Sequence, residues 1–158
     1  MNNIRKTALE FLLEQEHITK LPVSLDDLMC IAKKYNWEIY TYSEFIPYID
    51  TSTENGKRLM QCINTNKAFV INDNKTPTII FDDRLPYIEK TYKVSHEMGH
   101  IVLGHKTFDL LSDNISDEEK KIQENEAEVF ATEFLAPQPV LREIGISSID
   151  DMNDLALL

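Results

Sequence analysis

The chain has 158 residues, 42% hydrophobic and 27% charged. That is the balance of one compact globular domain, with too little length for two. Its formal charge of −11 argues against a sequence-independent hold on nucleic acid or an anionic membrane, both of which need clustered Lys and Arg. No apolar run approaches the roughly 20 residues that span a bilayer, and Glu10, Glu14 and Glu16 break the N-terminal stretch that a signal peptide would need. Cys30 and Cys62 are the only cysteines, so a disulfide scaffold is not expected and a reducing cytoplasm is.

In chain order, Asn3 is placed to cap a helix over about residues 4–16, with Ala8, Phe11 and Leu12 on its apolar face. Leu21-Pro22 interrupts. Ser24 caps a second helix, and Asp27 stands where a carboxylate reaches back to the cap, in the manner of a capping box. Leu25, Leu28, Met29, Ile31, Ala32 and Tyr35 form its expected buried stripe, with Cys30 and Cys62 read as ordinary packing residues and Trp37 as core. The middle of the chain reads as β-structure. Trp37–Tyr42, Leu59–Ile63, Ala68–Asn72 and Thr78–Asp82 are short and rich in β-branched or aromatic residues. Asn55-Gly56, Asn64-Thr65-Asn66 and Asp73-Asn74 mark turns between them. Consecutive antiparallel strands are expected, with Thr78–Phe81 lining a cleft. Pro86 starts a helix that runs to about Leu103, where Gly104 ends it. Ser116, with Glu119 three residues on, starts another that runs to Ala136. A tail follows from Pro139, with a weak helix near Ile149–Leu158. The fold class is α+β in a single domain over residues 1–158, with a short antiparallel sheet, an active-site helix and an N-terminal helical part.

Chemistry concentrates at His96-Glu97-Met98-Gly99-His100, an H-E-x-x-H pattern. With four His and 15 Glu in the chain, chance supplies roughly 0.01 such matches. Residues four apart on an α-helix lie about 40° apart around its axis, so His96 and His100 share one face and can bind one Zn²⁺. Glu97, rotated by about 100°, is placed instead to act as general base on a water that the metal activates. A catalytic zinc normally takes three protein ligands. His105 lies about 140° from His100 if the helix continues, which makes it a helix-end cap or an outer partner rather than a ligand. His17 sits in a polar stretch and is read as a surface residue. The remaining candidates are the carboxylates of Glu124, Glu126 and Glu128, on a helix that packs through Phe130, Ala131, Phe134 and Leu135. Tyr87 and Tyr92 both lie near the motif, and sequence does not choose between them.

His96-Glu-Met-Gly-His100 with Gly104-His105, followed by Glu124-x-x-Ala127-x-x-Phe130-Ala131-x-x-Phe134-Leu135-Ala136-Pro137, resembles the ImmA/IrrE family of zinc metallopeptidases. The likeness extends over nearly the whole chain, to Leu21-Pro22-Val23 and Trp37–Tyr42. It implies a small zincin-like α+β domain, one zinc per chain and cleavage of helix-turn-helix repressors that control mobile elements or stress responses. It also implies that Glu124 is the third ligand, since Glu124 holds the family's Glu with Ala127 three residues on. On that helix Glu128 follows one turn later, placed to accept a hydrogen bond from a ligand imidazole, and Glu126 is about 200° round and points to solvent. The sequence departs from the family at Glu128, where Asn or Asp is usual, at Glu89-Lys90-Thr91-Tyr92-Lys93, where Arg is frequent, and at Phe134-Leu135-Ala136-Pro137. It leaves no room for the sensory domain of longer relatives.

The expected function is therefore an intracellular zinc endopeptidase with Glu97 as catalytic base and His96, His100 and Glu124 as ligands. The alternatives are a zinc-stabilised module that binds a repressor without cutting it, which the intact Glu97 disfavours, and a metal-dependent hydrolase of a non-peptide bond. Residues 107–158 carry 13 acidic and three basic residues, either a solvated helix face or a surface that steers a basic partner. Direct nucleic-acid binding and membrane attachment are not expected, and the oligomeric state is not legible.

Overall fold

The computed structural model describes residues 2–72, 76–105 and 115–137. Among the described residues, six α-helices and three strands follow one another as α1 (Asn2–Leu13), α2 (Leu25–Lys34), β1 (Glu38–Thr41), α3 (Tyr42–Phe45), α4 (Glu54–Thr65), β2 (Ala68–Ile71), β3 (Thr78–Phe81), α5 (Tyr87–Val102) and α6 (Asp117–Leu135). A 3₁₀ turn at Ile46–Tyr48 follows α3. This is the small α+β, zincin-like arrangement expected. The tail from Pro139, its weak helix and the Asp73-Asn74 turn lie outside the described residues.

Two of the caps read from sequence are in place, whereas Asn3 lies inside α1, which begins at Asn2 and ends at Leu13, and does not cap it. Ser24 Oγ accepts from the backbone N–H of Asp27, and the Asp27 carboxylate accepts from the N–H of Ser24, closing the capping box of α2. Ser116 Oγ accepts from the Glu119 N–H at the start of α6. Leu28, Ile31 and Ala32 are buried on α2, whereas Met29 and Cys30 are exposed. Cys30 is thus not a packing residue, because two residues from Leu28 is about 200° around the helix.

Two expectations about the sheet are corrected. Leu59–Ile63 is not a strand but lies within α4, whose cap is Thr53 through a hydrogen bond from Gly56 N–H. Leu59, Met60 and Ile63 are spaced to form one helical stripe, and they pack on one face of the sheet. Nor is Asn55-Gly56 a hairpin turn: it occupies the first turn of α4, where a Cβ on Gly56 would fall 1.8 Å from the carbonyl oxygen of Asp50. The sheet is also mixed rather than antiparallel throughout. Its order is β1-β3-β2, with β2 antiparallel and β1 parallel to β3. The β2–β3 connection claims one edge of β3 and leaves its other edge for β1.

Helices cover both faces of the sheet. Ala68, Val70, Ile79 and Phe81 point into a core shared with α1, α2, α5 and α6. Phe69, Ile71 and Ile80 point the other way, onto Tyr42 and the α4 stripe. Burial on both faces explains why β2 and β3 read as continuous apolar runs. Trp37 is half-buried, with its ring stacked on Tyr35 and Phe11 at centroid distances of 5.1 and 6.4 Å.

Candidate metal centre

The site is built on the contact between α5 and α6. Gly99 is what allows it. A Cβ at that position would lie 3.0 Å from the Phe130 ring, closer than side chains normally approach. Ala127 and Ala131, fully buried on α6, keep the opposite surface equally low. Phe130 and Phe134 then fill the space beside α1, each within 6.0 Å of the Phe11 ring centroid. Burying one such ring contributes about 1.5–3 kcal/mol.

This approach brings Glu124 over the motif. Its Oε2 lies 2.9 Å from His96 Nε2, and its Oε1 lies 3.2 Å from His100 Nε2. The two Nε2 atoms are themselves 3.2 Å apart, with the rings nearly perpendicular at 79°. Bonds of about 2.0–2.2 Å to a tetrahedral zinc separate its ligand atoms by about 3.3–3.6 Å. The triangle of two imidazole nitrogens and a carboxylate thus fits such an ion with a small expansion. His96, Glu97 and His100 are all buried, and each offers a donor atom within 4.8 Å of the others. Glu97 is therefore a second candidate for the third donor, beside Glu124, whose two oxygens each contact one imidazole.

The two carboxylates differ in electrostatics. Hydrogen bonds to His100 and His96 hold Glu124 far below the usual carboxylate range, although half of its side chain is exposed. Burial pushes Glu97 up, against the opposing pull of His100 and His96. One carboxylate is held toward its ionised form by the imidazoles it faces; the other is pushed toward its protonated form by burial.

His105 stands beside His100 as one of the two expected readings had it, an outer partner, although its direction along a continued helix is not the one found. Gly104 adopts φ +68°, and two bonds close a Schellman motif: Gly104 N–H to Ile101 C=O and His105 N–H to His100 C=O, at 3.1 and 3.0 Å. The chain therefore doubles back rather than continuing as helix, and His105 Nδ1 comes to 2.9 Å from His100 Nδ1. On its far side His105 Nε2 is 3.7 Å from Glu126 Oε1. Glu126, expected to point to solvent, faces this imidazole instead. Glu128, expected to bond an imidazole, makes no such bond among the described contacts. It is exposed and stands near the half-buried hydroxyl of Tyr92, which is raised by burial and by that charge.

A groove of about 1150 Å³ opens above these residues. His96, Glu97 and Glu124 line it, with Tyr92 on α5 and Ala68 and Val70 on β2. The ring of Tyr92 lies 6.4 Å from that of His96. Tyr87 is turned away, its hydroxyl accepting from the N–H of Leu25 at the start of α2. The strand bordering the groove is the edge strand β2, not Thr78–Phe81, because β3 is central and has a strand on either side.

Two imidazoles one turn apart on a helix, a buried glutamate between them and a second carboxylate from the next helix form the centre of a zincin-like metallopeptidase domain. The family model described as the IrrE N-terminal-like domain, peptidase family M78, matches residues 58–156, and the chain belongs to that family. Neither a curated protein nor a solved structure gave a match.

Proposed function

We propose that this chain is a zinc-dependent endopeptidase acting in the cytoplasm, with His96, His100 and Glu124 holding the metal and Glu97 as general base. The observation that carries this reading is the reach of Glu124 across from α6 to both Nε2 atoms, at 2.9 and 3.2 Å. Three donors are thereby assembled without Glu97. A zinc ion held there supplies Lewis acidity and lowers the pKa of the attacking water. Glu97 does the proton work: its carboxylate takes the proton from that water and delivers it to the departing amine nitrogen. Burial lifts its pKa toward the working pH, which suits a group that must both accept and return a proton.

The groove supports an extended polypeptide as substrate. Ala68, Phe69 and Val70 are buried, so their side chains serve the two cores and the strand meets the groove mainly through its main chain. A peptide laid beside β2 gains backbone hydrogen bonds in the way added strands do, and its scissile carbonyl then passes over Glu97. The family resemblance supports a helix-turn-helix repressor as that substrate, and the acidic surface of α6 supports a basic one.

The test is Glu97→Gln. The variant should keep one zinc per chain by elemental analysis and lose about 10²–10⁴ in cleavage rate, the usual cost of a missing general base. Helix-turn-helix repressors are the substrates to assay, that of the neighbouring reading frame first. Full activity in Glu97→Gln would remove the mechanism. Binding of a repressor without cleavage by the wild type would favour the non-catalytic module.

A further inference from the structure

We infer that His105 is a positioning residue for His100: it accepts the Nδ1–H of His100 and so fixes the tautomer that presents the Nε2 lone pair to the metal site. The inference rests on the reading of His96, His100 and Glu124 as metal ligands. It follows from three features of the geometry.

First, His100 has two ring nitrogens with different neighbours. Nε2 faces His96 and Glu124, whereas Nδ1 faces only His105 among the described contacts, at 2.9 Å. A neutral imidazole carries one N–H. If Nε2 is to offer a lone pair, the proton must sit on Nδ1, and at that distance it is donated to His105 Nδ1. His105 must then be protonated on Nε2, the nitrogen that faces the Glu126 carboxylate at 3.7 Å. With a metal on His100 Nε2, every proton from His100 through His105 toward Glu126 then has a consistent place. The reverse assignment, in which His100 Nε2 carries a proton that Glu124 accepts at 3.2 Å, suits the metal-free site but leaves no lone pair for a metal.

Second, the contact is enforced by the backbone. A continued helix would carry His105 about 140° away from His100. The positive φ of Gly104 and the two Schellman bonds reverse the chain and bring His105 back onto the ring it follows by five residues. Third, the His105 side chain is itself 8% exposed, so the pair is shielded from water that would otherwise satisfy His100 Nδ1 in either tautomer. Fixing ligand orientation and tautomer through an outer partner typically accounts for 10–100-fold in metal affinity.

The test measures zinc affinity by competition with a chromophoric chelator, on the full chain, for wild type, His105→Leu and His105→Asn. The Oδ1 of Asn falls near the position of His Nδ1 and can accept the same proton; Leu cannot. His105→Leu should weaken zinc about 10–100-fold, and His105→Asn should recover most of the loss, while the metal-free proteins unfold at similar temperatures. Unchanged affinity in His105→Leu would overturn the positioning role while leaving the metal site intact. Equal losses in both variants would also overturn it, by assigning His105 to packing alone. A wild type that binds no zinc would instead remove the ligand reading on which the inference stands.

Discussion

Glu124 and Glu97 are both glutamates within one site, yet their surroundings push them in opposite directions. Glu124 comes from a different helix, keeps half of its side chain in solvent and bonds both imidazoles, so it is held as a carboxylate. Glu97 is buried beside the same imidazoles and is pushed the other way. Glu124 and Glu128, one turn apart on α6, should separate accordingly. Glu124→Ala should cost more zinc affinity than the roughly 10–100-fold of a lost outer partner. Glu128→Ala should leave the affinity within a few-fold of wild type, because no bond joins Glu128 to an imidazole among the described contacts. Titration of zinc into the purified variants measures both. Metal loss in Glu128→Ala comparable to that in Glu124→Ala would mean that α6 sits one turn away from where it is described.

At the level of elements, α5 and α6 form the site only because they approach so closely. Gly99 faces Phe130, and Phe130 cannot retreat: it is fully buried, with Phe134 stacked on it at 5.7 Å and Phe11 at 6.0 Å. Gly99→Ala therefore sets a helix-propensity gain of up to about 1 kcal/mol against an overpacking cost of about 1–3 kcal/mol. A net destabilisation of about 1 kcal/mol is expected, together with weaker zinc binding as α6 and Glu124 are displaced. The double variant Gly99→Ala with Phe130→Leu should bind zinc more tightly than Gly99→Ala alone. Chemical denaturation and zinc competition report the two effects. Wild-type values for Gly99→Ala in both measurements would show slack at this contact.

For the molecule as a whole, charge and groove shape define how a substrate would arrive. The first turn of α6 carries Asp117, Glu118 and Glu119, and further glutamates follow along the same helix at one wall of the groove. If a basic repressor is the partner, its association rate should fall between low and moderate salt, as screening shortens the reach of exposed charges to about 8 Å at physiological ionic strength. Stopped-flow association at graded salt measures this. A rate indifferent to salt would return the acidic face to simple solvation. Free duplex DNA should bind negligibly, which a gel-shift assay checks.

Much of the site was legible before any coordinates, because its strongest signals are local. The spacing of His96 and His100 is fixed by one helical turn, and the caps at Ser24 and Ser116 act within four residues. What sequence misplaced was decided by contacts between distant segments. Leu59–Ile63 carries apolar residues compatible with either a strand or a helix. Thr53 and the close approach of Gly56 to Asp50 select the helix, and the second face of the sheet requires something to cover it. The mixed order of the sheet makes β2 rather than β3 the strand at the groove, and no residue type in either strand announces which one lies at the edge. His105 is the sharpest case. Its angle along an ideal helix points it away, and one left-handed glycine returns it to His100. Sequence by itself determined that His96 and His100 share one face with Glu97 beside them, since helix periodicity needs only neighbours, and its longer motif pointed to the family and to Glu124. Tertiary structure alone decided which strand borders the groove and which side chain stands behind His100, since both depend on where the backbone turns.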